Sequence, residues 1–322
     1  MMKDPKSLRI VFMGTPEFAV ASLSVLVQDG YRVAGVITAP DKPAGRGQQV
    51  QMSAVKQFAL AHNITVLQPE KLKDPDFLQA LKNLNADLQI VVAFRMLPEV
   101  VWNMPPLGTF NLHGSLLPKY RGAAPINRAI MNGETETGVT TFFLRQEIDT
   151  GAVIFRETIP IGPDETAGEL HDKMMVIGAQ LVKKTVDSIV SGNVKTLEQD
   201  SLIHSDEVIP DAPKIFRDDC KINWELQASQ IHNHVRGLSP YPAAWTTLMR
   251  GEQALQVKVY STVIANADSH AVIAAGKVSD DLVVQCGVGR IRITSLQPAG
   301  KKRMSAEEFL RGYKLTSSDY FI

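Results

Sequence analysis

Only two cysteines, Cys220 and Cys286, occur in 322 residues, and neither belongs to a CxxC pair or a Cys/His cluster. A disulfide framework and a structural zinc site are therefore not expected, and the usage fits a reducing compartment. No run of residues approaches the ~20 apolar positions that a membrane helix needs. The apolar run that follows the polar first residues stops at Gly14, too short for the core of a secretory signal. The chain is expected to be soluble and cytoplasmic. It also lacks net charge, with 34 Lys and Arg against 34 Asp and Glu, so any nucleic-acid contact must come from local patches. A GxGxxG fingerprint is missing after the first apolar segment. Only Gly14 stands there, with Pro16 two residues on, which argues against a nicotinamide cofactor and for a tight turn that opens a helix.

What is present is an alternation of two hydrophobic periods. Apolar runs at 8–13, 33–38, 66–67, 88–93 and 108–113 read as buried strands. Between them Phe18, Ala19, Ser22, Leu23 and Leu26 recur at helical spacing. Val55, Phe58 and Ala59, then 77–84 and 124–131, mark further helices. Residues 139–144 and 153–159 read as two added strands, and 167–190 as a long closing helix. Repeated strand–helix units predict an α/β domain with a doubly wound, mostly parallel sheet over 1–190. Residues 191–213 are polar and contain Pro210 and Pro213, so they are expected to be a linker. Residues 214–322 then predict a short helix near 228–235. Short strands at 257–260, 272–273, 282–285 and 291–296, broken by turn residues, predict a small β-barrel. From Pro210 onward there are 14 Lys and Arg against 11 Asp and Glu, a mildly basic second part.

Chemistry concentrates where the strand ending at residue 113 runs into a Gly/Pro loop. In an open parallel sheet, ligands bind beyond the carboxyl ends of the strands. Period-two geometry puts Asn111 and His113 on one face of that strand end. An amide donor and an imidazole converging on one carbonyl suit acyl-type transfer. The oxygen gains negative charge and an attacking amine must shed a proton. Asp149 in the turn Asp149-Thr150-Gly151 is the candidate carboxylate to orient the imidazole. By spacing alone the same residues also suit a capped turn and an ordinary tight turn.

The longer string decides between these. Residues 110–129, FNLHGSLLPKYRGAAPINRA, resemble the signature of the folate-dependent formyltransferases. RIVFMGTPEFA near the start, the loop DKPAGRG, IDTG, and SLQPAGKKRMSAEEFL near the end extend the resemblance over nearly the whole chain. It implies a Rossmann-like formyltransferase domain followed by an OB-like barrel that binds tRNA. It implies Asn111, His113 and Asp149 as the catalytic trio, and Ser115, Leu116, Leu117 and Pro118 as the folate-contacting segment. The GRG loop and the terminal segment point to the tRNA branch of the family. There the formyl group of 10-formyltetrahydrofolate passes to the amino group of initiator methionyl-tRNA. Arg46, between two glycines, then resembles an arginine wedged into the acceptor stem. Lys301, Lys302 and Arg303 become candidate tRNA contacts, and Lys119 and Arg121 further basic candidates near the site mouth. No metal is implied, and a monomer is expected. The sequence departs from the family pattern at Phe94-Arg95-Met96-Leu97-Pro98, where the family has Tyr-Gly and then Leu-Ile-Leu-Pro. The family also often has glycine near Glu147. His232 and His234 read as structural or surface histidines.

Overall fold

A computed structural model describes residues 5–44, 49–203, 208–265 and 274–322. The chain divides into two compact units. The first comprises 1–122, 137–159 and 171–211, and the second 123–136, 160–170 and 212–322. Residues 191–211, part of the expected linker, thus belong to the first unit.

The first unit is built on a seven-stranded sheet. Its strands are β1 (Arg9–Gly14), β2 (Arg32–Ile37), β3 (Val66–Leu67), β4 (Leu88–Val92), β5 (Thr109–His113), β6 (Glu136–Phe143) and β7 (Val153–Pro160), in the order β7-β6-β5-β4-β1-β2-β3. β1 pairs parallel with β2 and β4, β2 with β3, and β4 with β5. β6 runs antiparallel to β5. This is the expected doubly wound, mostly parallel sheet. Its central strands lie buried on both faces, which is why they read as unbroken apolar runs.

Helices α1 (Glu17–Gln28), α2 (Ala54–Ala61), α3 (Pro75–Asn83) and α4 (Glu99–Trp102) connect the strands. Their starts are written locally. Asp74 caps α3 by accepting from the backbone N–H groups of Asp76 and Phe77, with Pro75 in the first turn, and Ser53 accepts from Lys56 N–H to cap α2. Alternate strand residues face opposite sides. Val11, Met13, Ile37 and Val91 pack with Phe77, Leu81 and Val101 from α3 and α4. On the other side Leu112 meets the long helix whose first residue is Ala167 and last is Val190. A Cβ on Gly178 would lie 2.8 Å from Leu112 Cδ2, so a larger residue there would have to push that side-chain tip aside. Thr141 and Thr185 share a buried 2.9 Å hydroxyl contact on that same side. Gly14 is confined, since its Cβ would sit 2.9 Å from the Val92 carbonyl oxygen.

The second unit contains a six-stranded sheet of β8 (Ala244–Arg250), β9 (Gln253–Ala265), β10 (Val283–Gln285), β11 (Arg290–Pro298), β12 (Met304–Ser305) and β13 (Tyr320–Phe321). The order is β10-β11-β9-β8-β13, with β12 on β11. Lys277 bridges to Tyr320 and Val278 to Val284, which brings the two edges nearly to closure. This is the expected small barrel. Its core holds Trp224, Ile231, Val257, Ile291 and Phe321, and Trp224 stacks on Phe321 with ring centroids 5.5 Å apart. The expected strand at 272–273 lies outside the described residues. β8 was not foreseen, and β9 is far longer than the expected 257–260. Val257 and Val259 face inward between exposed Gln256 and Lys258, so that stretch stood out, whereas further along Thr262 faces inward and Val263 and Ile264 outward, which breaks the pattern.

Candidate active site

β5 is locked between two neighbours. Val91 and Val92 of β4 are in register with Asn111 and Leu112, and Phe142 and Thr140 of β6 with Asn111 and His113. A slip of one residue would turn every side chain to the wrong face. Asn111 and His113 therefore share the face that Val91 occupies, the side of α3 and α4. His113 is only 6% exposed, whereas Asn111 is half-buried. Among the described residues the Asn111 amide makes no side-chain hydrogen bond, so its two N–H groups are uncommitted.

The loop after β5 is pinned by its own polar groups. Ser115 Oγ donates to the Lys119 carbonyl at 2.6 Å. Thr140 Oγ1 donates to the Ser115 carbonyl and accepts from Leu117 N–H, and Arg156 donates to the Leu117 carbonyl. Tyr120 ends the loop at φ 59°, in the left-handed region, and its carbonyl oxygen lies 2.8 Å from His113 Nε2. A carbonyl can only accept, so Nε2 carries the hydrogen. That leaves Nδ1 as the nitrogen with a free lone pair, and it stands 3.9 Å from Asp149 Oδ2. The same Oδ2 accepts the Gly122 N–H at 3.0 Å. Asp149 also has a left-handed backbone, at φ 55°.

Of the residues singled out in the sequence, His113 and Asp149 are thus brought together, with Asn111 on the same strand face. Ser115 and Leu117 are fully buried, so what this segment offers a ligand is its backbone and the half-buried Leu116. Arg46 lies outside the described residues. Lys301, Lys302 and Arg303 are exposed in the turn between β11 and β12, where Arg303 donates to Ser295 and lies 4.5 Å over the Tyr260 ring. The unusual Arg95 donates to the carbonyls of Pro69 and Glu70 and lies 5.7 Å over the Phe94 ring, tying the end of β4 to the loop before α3. Lys119 has its own partners, and Arg121 is engaged by Gln199. Among the described residues, no group of three or more His, Cys, Asp or Glu side chains could hold a metal ion.

Residues 8–186 match the formyl transferase family, and residues 214–314 match its C-terminal domain. The chain belongs to the formyl transferase family. It is 53% identical over 318 residues to a methionyl-tRNA formyltransferase of Bacteroides fragilis, covering 97% of each chain. It is 54% identical over 319 residues to a methionyl-tRNA formyltransferase of Azobacteroides pseudotrichonymphae, covering 97% of this chain and 98% of that one. Its fold is shared by an N-formyltransferase from Helicobacter canadensis solved with folinic acid and dTDP-3-aminofucose. The TM-score is 0.63 at 20% identity, over 89% of this chain and 99% of that one.

Three features of this family member were not foreseen from its sequence. They are the Tyr120 carbonyl that sets the histidine tautomer, the Gly122 N–H that holds Asp149, and Gln199. The first two are backbone groups, silent in any side-chain pattern. Gln199 sits in a polar segment that reads as a linker, yet it is 2% exposed. Beside it a cleft of about 590 Å³ is bordered by Arg121, Arg145, Thr150 and Glu198. Arg145 forks onto Glu198 there and holds that carboxyl below its ordinary range. No helix among the described residues is long and apolar enough to cross a membrane.

Proposed function

We propose that this chain transfers the formyl group of 10-formyltetrahydrofolate to the amino group of initiator methionyl-tRNA, with Asn111, His113 and Asp149 as its catalytic residues. The acceptor follows from relatives of that name that share over half of their residues along nearly the full length. The observation that carries the chemistry is an uncommitted amide on the strand face of a buried imidazole whose Nδ1 faces a carboxylate.

The residues fit a formyl donor, because a half-buried amide with no partner is a donor waiting for an oxygen. The folate supplies the activated formyl carbon when bound. Asn111 donates N–H to the formyl oxygen as negative charge builds there. Such a preorganised donor typically lowers the barrier by about 3–4 kcal/mol. His113, with Nε2–H held by Tyr120, presents Nδ1 to the proton that the amine sheds. Asp149, 3.9 Å from Nδ1, balances the charge of the imidazolium so formed, while the Tyr120 carbonyl holds the ring in orientation. Ser115, Leu116, Leu117 and Pro118 form one wall of the folate site, mainly through their backbone.

Arg46, Lys301, Lys302 and Arg303 are the proposed tRNA contacts, acting on phosphates by charge. In this reading the catalytic domain of residues 1–190 is extended by 191–211, which pack in its unit, and 214–322 form the tRNA-binding barrel, in a monomeric cytoplasmic enzyme that needs no metal. The test mixes the protein with 10-formyltetrahydrofolate and charged initiator tRNA. N-formylmethionine on the tRNA is the expected product. Formate released at the same rate without acceptor would instead make the protein a hydrolase. Formylation of a sugar-nucleotide amine but not of the tRNA would make it a small-substrate transferase.

A further inference from the structure

The loop that carries Asp149 is strapped from behind by residues 197–199. Leu197 exchanges backbone hydrogen bonds with Val153 at 2.8 and 2.9 Å. Arg145 and Glu198 form a two-pronged pair at 2.7 and 2.6 Å. Gln199 then uses both ends of its amide. Nε2 donates to the carbonyl of Asp149 at 2.7 Å and to that of Gly151 at 2.9 Å. Oε1 accepts from Arg121 Nε at 3.0 Å and Nη2 at 2.7 Å. Every one of these donors and acceptors suits only the glutamine orientation seen, since a flipped amide would set N–H against guanidinium.

Asp149 needs such support. At φ 55° its backbone is left-handed, a conformation Asp enters more readily than most residues but still at a cost that its surroundings offset. Its carboxylate is tied forward to Gly122 N–H and its carbonyl backward to Gln199. These two bonds fix the peptide and side-chain directions that aim Oδ2 at His113 Nδ1. We propose that Gln199 is a positioning residue for Asp149, holding its carboxylate in register with His113 and itself held by Arg121. The proposal rests on the reading of Asp149 as part of the active site.

The test is a double-mutant cycle by single-turnover formyl transfer to charged initiator methionyl-tRNA, with excess enzyme. The variants are Q199E, Q199M, D149A and Q199E/D149A, each assayed well below the lowest Tm of the set. Q199E keeps the size and the Arg121 contact but cannot donate to the two carbonyls. Q199M removes both functions. Each is expected to slow transfer about 10- to 100-fold, as a displacement of the order of 1 Å does. Affinity for the tRNA should stay within about twofold, because neither variant alters a proposed tRNA contact. In the D149A background, Q199E should add less than about a twofold further loss, because it acts through the side chain already removed. Losses that multiply would overturn the proposal and leave Gln199 a general structural support. Wild-type rates in Q199E and Q199M alongside a slow D149A would also overturn it, with the active-site reading intact. A D149A enzyme as fast as wild type would remove the active-site reading and this proposal together.

Discussion

Replacing Asn111 by alanine separates catalysis from stability cleanly. The side chain lies on the central strand β5, half-buried, with no hydrogen-bond partner among the described residues. Nothing in the fold loses a partner when the amide goes, so the stability change should stay within about 1 kcal/mol, typical of a site with no buried interaction. That corresponds to a Tm shift of roughly 4 °C at most for a protein of this size. The rate should respond very differently. A donor aimed at a developing oxyanion contributes about 3–4 kcal/mol, or 100- to 1,000-fold in kcat. Asn111→Asp gives a second reading, because it keeps the shape but replaces donors with negative charge beside a negative oxygen. It should be at least as slow as the alanine variant. The measurements are single-turnover formylation of charged initiator tRNA, filter-binding affinity for the same tRNA, and thermal unfolding. A kcat within about threefold of wild type in both variants would defeat the oxyanion role. So would a large Tm loss in proportion to the rate, since it would show the amide serving the fold instead.

Gly151→Ala should damage both rate and stability. An added Cβ would lie 1.6 Å from the Phe143 carbonyl oxygen and 2.8 Å from its carbon, a backbone clash that no rotamer relieves. The loop must move by the order of 1 Å, and with Asp149 two residues away kcat should fall about 100-fold; an unchanged kcat and Tm would show that the loop absorbs the clash. Burial holds both His232 and His234 below their ordinary 6.5. The unfolded chain therefore takes up protons first as pH falls. The stability these neutral rings contribute is complete above about pH 6.5 and declines below it, by up to about 1.4 kcal/mol per pH unit for each. The double variant H232Q/H234Q should show a flatter Tm profile between pH 8 and 5, and an equal slope in both proteins would refute the assignment.

These two histidines also mark where residue patterns stop being informative. At helical spacing, among Ile231 and Val235, they read as structural or surface side chains. The fold makes His232 structural by sandwiching it between Thr262 Oγ1 at 3.0 Å and the Pro163 carbonyl at 3.4 Å, partners 30 and 69 residues away. The same contrast runs through the barrel. β11 was legible as 291–296 because its inward residues are large and branched. β8 was not, because Trp245, Thr247 and Met249 alternate with inward positions that include Thr246, whose hydroxyl is satisfied by Trp224 Nε1 and the Ile322 carbonyl.

From its sequence alone, the seven strands of the first unit's sheet and the face shared by Asn111 and His113 were legible. Both follow from short-range rules: strands buried on both sides are continuously apolar, and residues two apart on a strand point the same way. The tertiary structure alone decided which nitrogen of His113 is free, how Asp149 is held, and that Gln199 packs against the Asp149 loop. Each of those depends on a hydrogen bond from a backbone group or from a residue as many as 50 positions away. A chain's local preferences carry no record of such bonds until packing brings the partners together.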